Sequence, residues 1–183
     1  LDREIAHEAF LVSVRRGVIA RSVAIDQIAG QAGMADQPRG RVLGGSSAIN
    51  AMIYTRGHRW DYDHWAALGN AGWSFEEVLP FFKKAEHNET FGEPWHGRDG
   101  PLPVSRSRTD NPFQQRFLDA ARQTGLPLND DFNGVEQEGV GIYQVTQKHG
   151  ERCSAARAYL LPHIGVRNNL TVETRAQVQR ILF

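Results

Sequence analysis

Apolar positions along the chain fall into short periodic runs separated by glycine, proline and polar clusters, a pattern of mixed helices and strands. The clearest run follows Asn111. This residue suits a helix cap and Pro112 the first helical position; Phe113, Phe117, Leu118 and Ala121 recur at helical spacing until Gly125 and Pro127 end the run. Ser74 stands three residues before Glu77, a capping-box spacing in which each side chain satisfies an orphan backbone N–H. That helix meets Pro80, which has no N–H to donate, so a kink or a fresh start is expected there, with Phe81, Phe82 and Ala85 on the following turns. Residues 60–68 read as a short helix behind Asp61 and Asp63, stopped by Gly69 and Asn70. Another is predicted over 155–161, capped by Ser154 and ended by Pro162.

The other segments are loop or strand. Residues 48–54 fit a short helix or a buried strand, and 89–107 read as a long loop closing on an extended segment at 102–104. Residues 170–172 and 178–182 alternate like two short strands. Residues 1–37 have no clean period; Ile5, Ala9 and Val12, with Phe10 and Leu11, fit a helix about as well as a strand, and helix is the reading adopted. Composition shifts near Pro38, so 1–37 stand apart as an unassigned segment. The fold class is mixed α/β.

Composition narrows the classes. A chain of 183 residues makes one domain, or one with an appendage. It buries roughly 70% of its unfolded surface, so it needs no disulfide staple. Lys and Arg number 21 against 21 Asp and Glu, and the zero formal net charge removes the field by which a nucleic-acid or anionic-membrane binder recruits its partner. No polybasic run replaces it, and no nucleic-acid partner is expected. Hydrophobic content of 40% and charged content of 23% exclude disordered, collagenous and coiled-coil classes. A single cysteine, Cys153, forms no internal disulfide, which makes the reducing cytoplasm the default compartment. No apolar stretch reaches the roughly 18 residues of a membrane span, and no signal-peptide pattern opens the chain. Leu1 in place of an initiator methionine, and Phe183 at the end of an apolar run, read as the limits of an excerpt.

Several chemistries lack their residues. The seven histidines include no pair at the i, i+4 spacing of a zinc site, so no metal is expected, and each reads as a surface or hydrogen-bonding histidine. Gly44-Gly45-Ser46-Ser47-Ala48 is not the G-x-S-x-G turn of a serine hydrolase. Gly40-Arg41-Val42-Leu43-Gly44-Gly45 continues with Ser46 rather than the lysine of a phosphate-binding loop, and G-x-G-x-x-G is absent. What remains is the stretch from Gly40 to Asp63. Adjacent glycines beside Ser46 and Ser47 let a backbone approach a polyanion, with N–H groups and hydroxyls as donors. The same pattern also occurs as a simple tight turn.

The run Pro38-Arg39-Gly40-Arg41-Val42-Leu43-Gly44-Gly45-Ser46-Ser47-Ala48-Ile49-Asn50-Ala51-Met52-Ile53-Tyr54-Thr55-Arg56-Gly57, with Asp63 six residues on, resembles the first signature of the glucose/methanol/choline (GMC) flavoprotein oxidoreductases. The likeness to the choline and alcohol dehydrogenase branch is close. It continues through Asp61-Tyr62-Asp63-His64-Trp65, Gly72-Trp73-Ser74, Leu79-Pro80-Phe81-Phe82, Arg152-Cys153-Ser154-Ala155-Ala156 and Ala158-Tyr159-Leu160, so 38–183 resemble part of the family's FAD-binding region.

The resemblance implies an extended FAD. Val42, Gly44, Gly45 and Ser46 would lie along it, and Asn50, Ala51, Met52 and Ile53 would meet the isoalloxazine ring, where nearby N–H groups tune hydride acceptance. Val178 matches a valine that meets the adenine through its backbone. Plain packing is the competing expectation for Met52, Ile53 and Val178. Some members attach FAD through a histidine where Ile49 stands here, so a non-covalent cofactor is implied. The implied reaction oxidises an alcohol, choline or an aliphatic one, to an aldehyde and then passes electrons to an acceptor. A base takes the hydroxyl proton as hydride moves to flavin N5. The family's catalytic histidine and its G-x-G-x-x-G lie outside the matched span, so no catalytic residue is assigned and the chain alone is expected to be inactive. Peripheral membrane association of the full enzyme is compatible with the resemblance. A second expectation is a non-catalytic binding module built on a flavoprotein remnant. Trp73 and Trp95 are weighed as an aromatic face for a cation, against ordinary packing.

Overall fold

The computed structural model of the chain describes residues 20–25, 35–109, 111–176 and 178–181. Strands β1 (Ala20–Ile25) and β2 (Ala35–Gly40) pair antiparallel, from Ala20 opposite Gly40 to Ile25 opposite Ala35. This corrects the helix expected over 1–37 wherever that segment is described. Val23 and Ile25 are β-branched and favour extended backbone, and antiparallel neighbours satisfy each other's amides. The remainder of that segment lies outside the described residues.

A 3-10 turn at Gly45–Ala48 follows. Neither alternative for 48–54 is realised in full, because Met52 takes a left-handed φ of 63° that fits neither a helix nor a regular strand. Past it the chain is extended. Tyr54 donates its N–H to the Gln144 carbonyl (2.9 Å), and Met52 accepts from the Thr146 N–H (2.9 Å).

Helix α1 (Arg59–Ala67) begins as predicted within a residue, capped by His58, whose Nδ1 accepts from the Trp60 N–H (3.1 Å) while its own N–H donates to Asp61 (2.8 Å). Helix α2 (Phe75–Ala85) opens on the predicted box, with Glu77 accepting from the Ser74 N–H (3.1 Å) and hydroxyl (2.6 Å). Asp63 accepts from the Phe75 N–H (2.9 Å), which ties α1 to the start of α2. No fresh start occurs at Pro80, and α2 is one element across it. Pro80 and Glu76 are both exposed, so water takes the carbonyl that the proline leaves unbonded.

Strand β3 (Glu86–Asn88) runs parallel to β4 (Leu102–Arg106), and β4 pairs antiparallel with β5 (Gln144–Val145). The extended segment expected at 102–104 is thus present, and β3 is an element the sequence pattern did not reveal. The loop between them presses on the end of α2, where a Cβ on Gly97 would lie 1.8 Å from the Lys83 carbonyl oxygen. Helix α3 (Pro112–Gln123) is capped by Asn111, which accepts from the Phe113 N–H (3.0 Å), as predicted. A tight hairpin joins β6 (Gln147–Lys148) to β7 (Glu151–Arg152) through His149 and Gly150, both at positive φ.

The helix predicted over 155–161 is a π-helical turn at Ala156–Leu160. The strands expected at 170–172 and 178–182 are not formed where they are described. Leu170 instead donates back to the Arg167 carbonyl (3.2 Å) in a turn, and 178–181 are irregular, since alternation alone supplies no paired edge. The core gathers on β4, where Val104 is wholly buried, with Phe75, Leu79, Val145, Cys153, Ala156 and Ala158.

Candidate functional site

The loop after β2 is shaped by its glycines. Gly44 holds φ 91° and packs so tightly that a Cβ would meet the Ala156 nitrogen at 3.1 Å and Ser154 Oγ at 3.2 Å, whereas Gly45, at φ 55°, has open space beside it. Ser47 locks the loop to the distant π-helical turn, donating its hydroxyl to the Gly44 carbonyl and accepting the Ala155 N–H (2.9 Å). Ser46 accepts from the Gly40 N–H (3.2 Å), which leaves its hydroxyl proton to donate elsewhere.

Four residues on, Asn50 Oδ1 accepts from both the Met52 N–H (3.0 Å) and Arg152 Nη1 (2.7 Å). Arg152 also donates to the Ser47 carbonyl (3.3 Å), and burial pulls its guanidinium below its ordinary value. Among the described residues, the N–H groups of Gly44, Ala51 and Ile53 have no protein acceptor. Along the strip of Gly44, Gly45, Ser46, Asn50, Ala51, Met52 and Ile53, unspent N–H groups thus alternate with those of Gly45, Asn50 and Met52, which donate to Val42, Ser46 and the Asn50 side chain. Ile53 is 49% exposed, so plain core packing does not account for it.

Val42 lines an open groove of about 890 Å³ between 40–43 and 173–176. Val178 stands beyond that lining and is 76% exposed. Trp73 packs edge-on against Trp65 and Trp95 tilts against Phe75, so each ring takes part in ordinary aromatic packing.

Around the segment that follows the strip lies a buried polar cluster that the sequence did not single out. Arg56 donates to Glu86 (2.8 Å) and to the Trp95 carbonyl (2.8 Å). His96 places Nδ1 2.9 Å from Glu86 and Nε2 2.8 Å from Asp131. Burial alone would push His96 down, but the hydrogen bonds to Asp131 and Glu86 and their charges outweigh it and hold the imidazole above its ordinary value. Burial likewise raises Glu86, and the bonds from His96, Asn88 and Gly97 reverse it, leaving the carboxyl below its ordinary range. With Nδ1 of His96 held between Glu86 and Asn88 and Nε2 on Asp131, both ring nitrogens are engaged inside the protein and neither is left for a substrate proton. Its role is to brace. Asn133 accepts from the Arg56 N–H (2.7 Å) and donates to the Tyr54 carbonyl (3.1 Å), while Gln144 and Asn88 exchange amide bonds at 3.0 and 3.1 Å. The cluster thus fixes 54–56, the continuation of the strip. The sequence signals were Arg56 inside the signature run and His96 within a Gly-Pro loop, each ordinary on its own. No group of three His, Cys, Asp or Glu residues suited to a metal ion occurs among the described residues.

Comparison with known proteins bears on the family of the chain. Residues 17–183 match the profile of the GMC oxidoreductases. The chain is 49% identical over 146 residues to mitochondrial choline dehydrogenase of Mus musculus, covering 80% of this chain and 24% of that protein. It is 48% identical to an alcohol dehydrogenase [acceptor] of Pseudomonas putida, over 80% of this chain and 26% of that one. Among solved structures, pyridoxine 4-oxidase from Mesorbium loti superposes with a TM-score of 0.71 at 35% identity, over 76% of this chain and 28% of that one. An FAD-dependent oxidoreductase from Chaetomium thermophilum gives 0.63 at 33% identity, over 69% and 24%. The chain thus spans about a quarter of the length of these relatives. With nearly all of its length matched, it belongs to the GMC oxidoreductase family.

Proposed function

We propose that the chain forms the flavin-facing wall of an FAD-dependent oxidoreductase that oxidises the CH–OH group of an alcohol, choline or an aliphatic one, to an aldehyde. The carrying observation is the strip from Gly44 to Ile53, where the open space beside Gly45 and the free N–H groups of Gly44, Ala51 and Ile53 suit an anionic, acceptor-rich cofactor. FAD, when bound, supplies the hydride acceptor. Val42, Gly44, Gly45 and Ser46 would hold its pyrophosphate side; Asn50, Ala51, Met52 and Ile53 would hold its ring, and Val178 its adenine. Ile49 offers no nucleophile for a covalent link, so the cofactor is non-covalent. His96 is spent on Glu86 and Asp131 and is not the base that takes the alcohol proton; the family resemblance puts that base outside the matched span. The chain alone therefore binds cofactor without turning over alcohol, and the complete enzyme hands electrons on to a separate acceptor.

No helix among the described residues is long and apolar enough to cross a membrane. The mitochondrial name of one relative sets a second reducing compartment beside the cytoplasm. The test is titration of the folded chain with FAD, followed by flavin fluorescence. Saturable quenching, with all flavin released on denaturation, is expected. Gly44→Val, which places a branched side chain at a left-handed φ and against Ala156, should weaken binding at least about tenfold. A folded chain that leaves FAD fluorescence untouched would sink the proposal in favour of a non-catalytic binding module.

A further inference from the structure

We infer that Arg152 is a positioning residue for the cofactor: it fixes the Asn50 carboxamide with its NH2 turned outward and sets a positive charge behind the strip. The inference rests on the FAD reading above and deepens it. Asn50 Oδ1 receives two donors, Arg152 Nη1 at 2.7 Å and the Met52 N–H at 3.0 Å. An amide oxygen so engaged leaves the opposite face of the carboxamide as donor only. The NH2 has no acceptor among the described residues, and Asn50 is exposed. The orientation of the one side-chain amide on the strip is therefore set by an arginine 102 positions away in sequence.

The charge is equally specific. Arg157, next to it, is paired with Glu151 at 2.6 Å, whereas Arg152 has no carboxylate partner among the described residues and meets only Asn50 and the Ser47 carbonyl. A half-buried, unneutralised guanidinium favours any bound group that gains negative charge, and a flavin gains it on reduction. Arg152 thus acts through Asn50 and through its field, without contact to the reacting atoms.

The experiment compares wild type, Arg152→Lys, Arg152→Gln and, as a remote charge control, Arg122→Gln on α3. In the cofactor-free chain, the side-chain NH2 signals of Asn50 are followed by 15N NMR. Their chemical shifts should depart from those of a free asparagine side chain in wild type and Arg122→Gln, lie between in Arg152→Lys, and return to free-side-chain values in Arg152→Gln. With FAD, Arg152→Gln should bind about tenfold more weakly, and its flavin potential should fall relative to wild type, with Arg152→Lys nearer wild type. Unchanged Asn50 signals in a folded Arg152→Gln would overturn the positioning role. Altered signals with unchanged affinity and potential would overturn the link to the cofactor. Intact Asn50 signals in a wild-type chain that binds no FAD would instead overturn the reading of the site, and this inference with it.

Discussion

His96 sits where a general base is ordinarily sought, in a loop among glycine and proline, yet carboxylates occupy both of its nitrogens. The sign of its pH dependence follows. Its folded value lies above the ordinary 6.5, so its contribution to stability is complete below that pH and is lost as pH rises through the folded value. Glu86 is held below its ordinary 4.5, so its contribution is present above that pH and is lost as pH falls through the folded value. The cluster is therefore strongest between these limits. His96→Gln should cost about 3 kcal/mol there by urea unfolding, because it leaves buried Glu86 short of a partner. The gap to wild type should narrow above neutrality; a gap that widened with pH would contradict the assignment. At this scale the sequence was partly legible. Gly44, Gly45 and Asn50 announced themselves through the signature run, whereas Glu86, Asn88, Asp131 and Gln144 look like surface residues until the fold brings them within 3 Å of one another or of His96.

Helices were read best where their ends carry chemistry. Asn111 with Pro112, and Ser74 with Glu77, fixed the starts of α3 and α2 because a cap is a local bond that needs no tertiary partner. Strands fared worse: β3 exists through pairing with β4, and 170–172 alternate without pairing, so alternation misled where the partner edge decides. Two substitutions test the elements. Pro80→Ala restores a helical N–H at an exposed site in α2 and should raise stability by about 1 kcal/mol, seen as a higher Tm. Gly97→Ala should lower it by about 3 kcal/mol, since the added carbon meets the Lys83 carbonyl of the same helix; an unchanged unfolding midpoint would refute that close approach.

Over the whole molecule, neutrality and apolar surface act together. The formal net charge is zero and the isoelectric point is about 7.2, while Phe113 and Phe117 of α3 are 68% and 66% exposed, and Trp60, Trp73 and Phe81 are also exposed. Without repulsion to hold copies apart, the isolated chain should self-associate most strongly near pH 7 and less at pH 9, as measured by light scattering. Scattering that does not vary with pH would count against it.

The clasp of Ser47 on Ala155 and of Asn50 on Arg152 has a consequence of its own. The hydrogen bonds that reach the donor strip from distant sequence come from residues beyond 140, Thr146, Arg152 and Ala155, and the exposed segment 107–109 separates those two parts of the chain. A protease cutting there would sever the polypeptide without opening the site. The two pieces would stay joined through β4 and β5, Asn133 and Arg152, so the strip is in effect a seam between halves, and the halves made separately should reassemble it.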